Sequence, residues 1–229
     1  MKLSNRALSY LSTRERRPYI KDEPRLRDAI AATGAPEIDW LVEIHLMFAG
    51  YVEPLGSNDE AVYGILHDSS RWLGAEGIDW DLENDGEWAG IACADAHPSW
   101  EFWLSSDRSF AGSGLRLGAA DSFVHKIERD AVFWDFSRRG RNLYVHPVYP
   151  TQRAALAAML VSRLSDSEVA EATDSRNRTF LTEDLLLWQA REEGLVARNL
   201  ILVLADAKPA ALADLPWWAS DDWMLPAQR

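Results

Sequence analysis

Apolar positions recur at spacings of three and four from Glu23 to about Gly34. Leu26, Ala29, Ile30 and Thr33 share one face, the pattern of a helix half-buried against a core. Pro24 suits its first turn and Gly34 its end. After the turn Ala35-Pro36-Glu37, the spacing predicts a second helix. Its buried stripe is Trp40, Leu41, Ile44, Met47 and Phe48, with Glu43 and His45 towards the flanks and Gly50 closing it. Beyond Gly50 the period shortens. Tyr51–Glu53, Ala61–Leu66, Trp88–Ala94 and Trp100–Leu104 read as short strands rich in aromatic and β-branched residues. Turn clusters separate them: Gly56–Asp59, Asn84-Asp85-Gly86 and Ser105-Ser106-Asp107. A helix returns from Ser122 to about Ser137, with Phe123, Ile127, Val132 and Phe136 as core candidates, and a strand over Asn142–His146 follows.

Pro147 and Pro150 mark a boundary in this pattern. Helices are expected over about 151–164, 166–173 and 182–194, with Ser165 and Glu168 at the spacing of a capping box. Leu200–Ala205 reads as a buried strand. The fold class is therefore α+β: N-terminal helices, a central mostly antiparallel sheet, a closing helix, and a mainly helical C-terminal extension. Residues 1–150 form the expected main domain, and 151–229 the extension packed on it.

Charge changes the picture more than composition does. The formal net charge is −12, and residues 51–100 carry 11 acids against a single basic residue, Arg71. Such a field repels phosphate backbones and anionic membranes, and it draws in basic proteins. No apolar leader follows Met1, and the longest apolar run, Leu200–Ala205, is too short to span a bilayer, so the cytosol is the expected address. The single cysteine, Cys93, excludes an internal disulfide.

Catalytic and metal patterns are weak. Asp81, Glu83, Asp85 and Gly86 begin like a calcium loop, but Ala92 stands where the bidentate Glu belongs. His45, His67, His97, His125 and His146 show no paired ligand spacing. Cys93 with His97 could form a thiol–imidazole pair, although an apolar strand favours a buried, inert thiol. No catalytic residue, metal or cofactor is assigned, and the expected mode of action is binding.

The chain also carries 11 tryptophans. Trp40, Trp103 and Trp134 are expected to fill the core. Trp72, Trp80 and Trp88, by contrast, are interleaved with Glu76, Asp79, Asp81, Glu83, Asp85 and Glu87. An aromatic ringed by carboxylates suits recognition of a cationic protein surface. These nine residues are the candidate partner-binding face.

Residues 26–136 carry a further pattern. Gly34-Ala35-Pro36 and Trp40-Leu41 precede Phe48-Ala49-Gly50-Tyr51. Then come Gly64-Ile65, Ile91–Pro98 and Trp103–Asp107, and Ala120-Asp121-Ser122-Phe123 opens the stretch to Glu128. This resembles the SUKH superfamily, whose α+β domains include many bacterial immunity proteins that neutralise a cognate toxin. Ala49-Gly50 stands where the family's usual double glycine falls, and Ser106-Asp107 replaces its plainer Leu-Asp ending. The resemblance implies a non-enzymatic immunity protein, and the acidic face gives the expected mode, occlusion of a toxin's active or substrate-binding cleft. The alternative is a regulatory or scaffolding protein with a housekeeping partner.

Overall fold

A computed structural model describes residues 2–55, 59–69, 77–82, 85–100, 102–112, 119–139, 144–148, 158–190, 200–204 and 225–226; at 144–148, 190, 200–204 and 225–226 the description is of backbone. The chain is α+β. It divides into two compact units, one of residues 1–3 and 11–126, the other of 4–10 and 127–229. No helix among the described residues is long and apolar enough to cross a membrane.

In the first unit, α2 (Glu23–Ala31) starts where Asp22 accepts a hydrogen bond from the Arg25 amide, and it buries Leu26 and Ile30. α3 (Ile38–Phe48) buries Leu41, Val42, Ile44, His45 and Phe48. Its stripe is thus rotated from the expected one: His45 lies inside, while Trp40 and Met47 are half-buried. Arg16 closes the helix by donating to the Leu46 and Ala49 carbonyls, its guanidinium held between the Tyr19 and Tyr51 rings. At Gly50, φ is +84°, and a Cβ there would lie 2.3 Å from the Arg17 carbonyl oxygen. Only glycine fits this turn.

Two antiparallel sheets follow. β1 (Val52–Pro54), β2 (Glu60–Tyr63) and β5 (Ala94–Asp95) form one, in the order β1-β2-β5. β3 (Trp80–Leu82), β4 (Trp88–Ala92), β6 (Phe102–Ser105) and β7 (Phe110–Gly112) form the other, in chain order. Cys93 is the step between them: its N–H donates to the Phe102 carbonyl, and its own carbonyl accepts from the Gly64 N–H. The rings of Phe48, Tyr63 and Phe110 meet Phe123 edge-on at 4.9, 5.1 and 5.5 Å. Phe123 begins α4 (Phe123–Ser137), where the Ser122 hydroxyl accepts the His125 amide. The division between units falls inside this helix, after Lys126.

The second unit departs from the sequence reading. α1 (Asn5–Ser12), not expected, starts with the Ser4 hydroxyl accepting the Ala7 amide. The Glu128 carboxylate receives the Ser4 N–H at 2.6 Å and the Ser4 hydroxyl at 2.5 Å. β8 (Tyr144–Val148), β9 (Asn177–Leu181), β10 (Leu185–Ala190), β11 (Leu200–Leu204) and β12 (Leu225–Pro226) make an antiparallel sheet in the order β12-β8-β11-β10-β9. The extension is therefore not mainly helical over its described part. Residues 158–163 are helical, 165–167 and 170–172 are short 3₁₀ turns, and within the helix expected over 182–194 the segment Leu185–Ala190 is β10, while 151–157 and 191–194 lie outside the described residues.

The cause is burial. Leu185, Leu186 and Leu187 are fully buried and Trp188 nearly so. A strand covered on both faces is apolar at every position and shows no period. Nor does Pro147 end a domain, since it pairs with Ile201 within the sheet. The Ser165–Glu168 capping box does not form; Glu168 instead holds the Arg178 guanidinium in a two-pronged ion pair. Val132 and Phe136 pack with Val169, Ala172, Leu186 and Trp188. The Trp188 indole N–H donates to Asn177 at 3.1 Å.

Candidate functional site

The acidic segment folds into a β-hairpin. Asp85 and Gly86 form its turn, where φ at Gly86 is +86° and the Asp85 carboxylate accepts the Glu87 amide. The apparent start of a calcium loop is thereby resolved as strand, turn and strand, with Asp81 on β3, Asp85 at the turn and Ala92 ending β4.

Pairing fixes which way each residue faces. Trp80 opposes Ile91, Ile91 opposes Leu104, and Leu104 opposes Phe110. Opposed residues share a face, and the last three of this row are completely buried. Trp80 is therefore the outermost member of the core-facing row, and at the sheet margin it stays 39% exposed. Leu82, two residues on and on the same face, is 45% exposed. Asp81 belongs to the opposite row, with Gly90 and Ser105. Asp79, Asp81, Asp85 and Glu87 are all exposed.

Of the nine expected contact residues, the structure thus gathers Asp79, Trp80, Asp81, Asp85 and Glu87 on one exposed hairpin. Trp72, Glu76 and Glu83 lie outside the described residues. Trp88 is a correction: it is a core residue, only 9% exposed. The register of β3 on β4 shifts so that Asp81 opposes Gly90 while Leu82 opposes Trp88, leaving Ala89 as an extra residue. That bulge turns Trp88 onto the inward face of Ile91. Its indole nitrogen is buried with no hydrogen-bond partner among the described residues. Leu82 was the residue missed. The signal for it was its two-residue spacing from Trp80, which puts both on one face of a strand. Trp40, Trp103 and Trp134, expected in the core, are half-buried.

Cys93, His97, His45 and His67 are each buried or engaged by backbone groups. Cys93 is buried, and burial pushes its thiol well above the ordinary range, which disfavours the thiolate a nucleophile requires. The His97 ring accepts the Ser99 amide at 3.2 Å. His45 is locked by two backbone groups: Nδ1 accepts the Ile65 amide, and Nε2–H donates to the Ile20 carbonyl. Its burial lowers its pKa to about 4. His67, whose Nε2–H donates to the Gly64 carbonyl, is also held below its ordinary value by burial.

Comparison with protein-family models, with curated proteins and with solved structures gives no match.

Proposed function

We propose that this chain acts by binding a basic protein through the β3–β4 hairpin, and that the partner is a toxin whose cleft it occludes. One observation carries the reading. Trp80 and Leu82 are exposed side by side on a terminal strand, within a hairpin that also exposes Asp79, Asp81, Asp85 and Glu87. Exposed apolar side chains among carboxylates supply the two components of a protein interface, an anchor that gains from desolvation and charges that steer encounter. A nuclease-like cleft is cationic, and the exposed acidic hairpin complements it in sign. An interface of about 1,600 Å² would be ordinary for such a complex. The likeness of residues 26–136 to the SUKH superfamily supports the same reading.

The test is affinity capture from the native cell lysate with wild-type protein and with a folded Asp79→Lys/Asp81→Lys/Asp85→Lys variant. The expected result is a basic protein retained by the wild type, lost by the variant and weakened by high salt. Expressed alone, that protein should arrest growth, and co-expression of this chain should relieve the arrest. Capture by both forms alike would overturn the acidic-hairpin reading, and a captured partner without toxicity would overturn the inhibitor reading.

A further inference from the structure

β3 has β4 on one side and no neighbouring strand on the other among the described residues. The Ala92 N–H donates to the Asp79 carbonyl, so by antiparallel alternation Asp79 and Asp81 turn their peptide groups towards β4. Trp80 and Leu82 turn theirs to the other side, where no described strand pairs. The Leu82 amide is met there by the carboxylate of Asp81, at 2.8 Å. A side-chain oxygen thus does for this amide what a neighbouring strand's carbonyl does within a ladder.

Sheet edges in monomeric proteins are usually blunted by a very short strand, by charged side chains, above all lysine, by proline or by a bulge. β3 is short and its charge is Asp81, with neither lysine nor proline and with the extra residue of its bulge on β4, so the edge bars anionic strands and admits cationic ones. Its two faces are chemically distinct. One continues the buried row Phe110–Leu104–Ile91 into exposed Trp80, and the other presents Asp79 and Asp81.

We infer that the partner binds by adding a strand to the β3 edge, through an extended segment that alternates apolar and cationic residues. This rests on the reading of the hairpin as the contact surface. The apolar positions of the incoming strand extend the row that ends at Trp80, and its Lys or Arg positions oppose Asp79 and Asp81. The incoming carbonyl takes over the Leu82 amide and releases the Asp81 carboxylate to an arriving cation. A second copy of this chain is a poor occupant, because edge-to-edge pairing would bring aspartates against aspartates.

The experiment uses the full-length ¹⁵N-labelled protein and a blocked peptide of alternating valine and lysine. A second peptide of the same sequence carries N-methyl groups on every other residue, which removes ladder donors and keeps the charge. The expected result is slower amide exchange at Trp80 and Leu82 with the first peptide only, on the order of tenfold, and loss of that protection in Asp81→Lys. Equal effects of the two peptides would overturn strand addition while leaving the acidic-hairpin reading intact. Binding by neither peptide, or protection at Trp80 arising from dimerisation of the protein alone, would also overturn strand addition. The reading beneath it is judged separately, by whether the lysate partner depends on the three aspartates.

Discussion

The ring of Phe123 meets that of Phe48 edge-on at 4.9 Å, joining the first turn of α4 to the last turn of α3. Tyr63 and Phe110 bring the two sheets of the first unit onto the same ring. Phe123→Ala should therefore cost about 3–5 kcal/mol, the usual range for deleting a fully buried phenylalanine. Phe123→Leu, which keeps most of the volume, should cost less. Urea unfolding followed by near-ultraviolet circular dichroism checks both, and an alanine cost below that of leucine would contradict the packing described.

Gly50→Ala should destabilise beyond what helix or loop propensity would cause. The new Cβ meets the Arg17 carbonyl at 2.3 Å in a backbone with φ of +84°. Gly34, also at positive φ but with nothing within 4 Å of a Cβ, is the control. Thermal unfolding of the two variants should show a clearly larger loss for Gly50→Ala.

Stability should fall with acidification through His45. The buried ring titrates at about 4, against 6.5 for an unfolded histidine. The unfolded chain therefore binds the proton first. Stability is complete above pH 6.5 and is lost as pH falls from there towards 4, by roughly 3 kcal/mol in all. His67, also lowered by burial, adds to the slope in the same sense. His45→Gln should flatten the dependence of unfolding free energy on pH between 4 and 6.5. An unchanged slope would show that the ring is not held neutral.

Cys93 should resist thiol reagents in the folded protein. Burial raises its pKa and closes access to the sulfur. Labelling by a disulfide reagent at neutral pH should proceed at the rate of unfolding and become fast in denaturant. Rapid stoichiometric labelling of native protein would refute the burial.

Legibility in the sequence followed burial geometry. α2 was readable because one face is buried, so Leu26 and Ile30 repeat at the helical period, and α4 because Phe123 and Ile127, then Val132 and Phe136, lie four apart, although Lys126–Arg129 are all buried. The hairpin turn was readable because Asn84-Asp85-Gly86 provides a glycine where φ is positive. β3 left only a faint trace, the two-residue spacing of Trp80 and Leu82, because it has three residues, all exposed. β10 failed for the opposite reason, being buried on both faces from Leu185 to Trp188. At the site, charge and aromatic spacing led to Asp79, Trp80, Asp81, Asp85 and Glu87. The same spacing misplaced Trp88, because a single extra residue at Ala89 reverses the facing of its neighbour, and no local pattern announces that register shift.

The hydrogen bonds from Ser4 to Glu128 cross 124 residues of sequence. Ribosomal synthesis, at roughly 5–20 residues per second, therefore leaves the earliest residues of the second unit waiting about 6–25 s for the helix that receives them. By the end of that interval every residue of the first unit has been made, whereas residues 129–229 of the second are still to come. The residues of the second unit, which joins 4–10 to 127–229, are therefore complete only after those of the first.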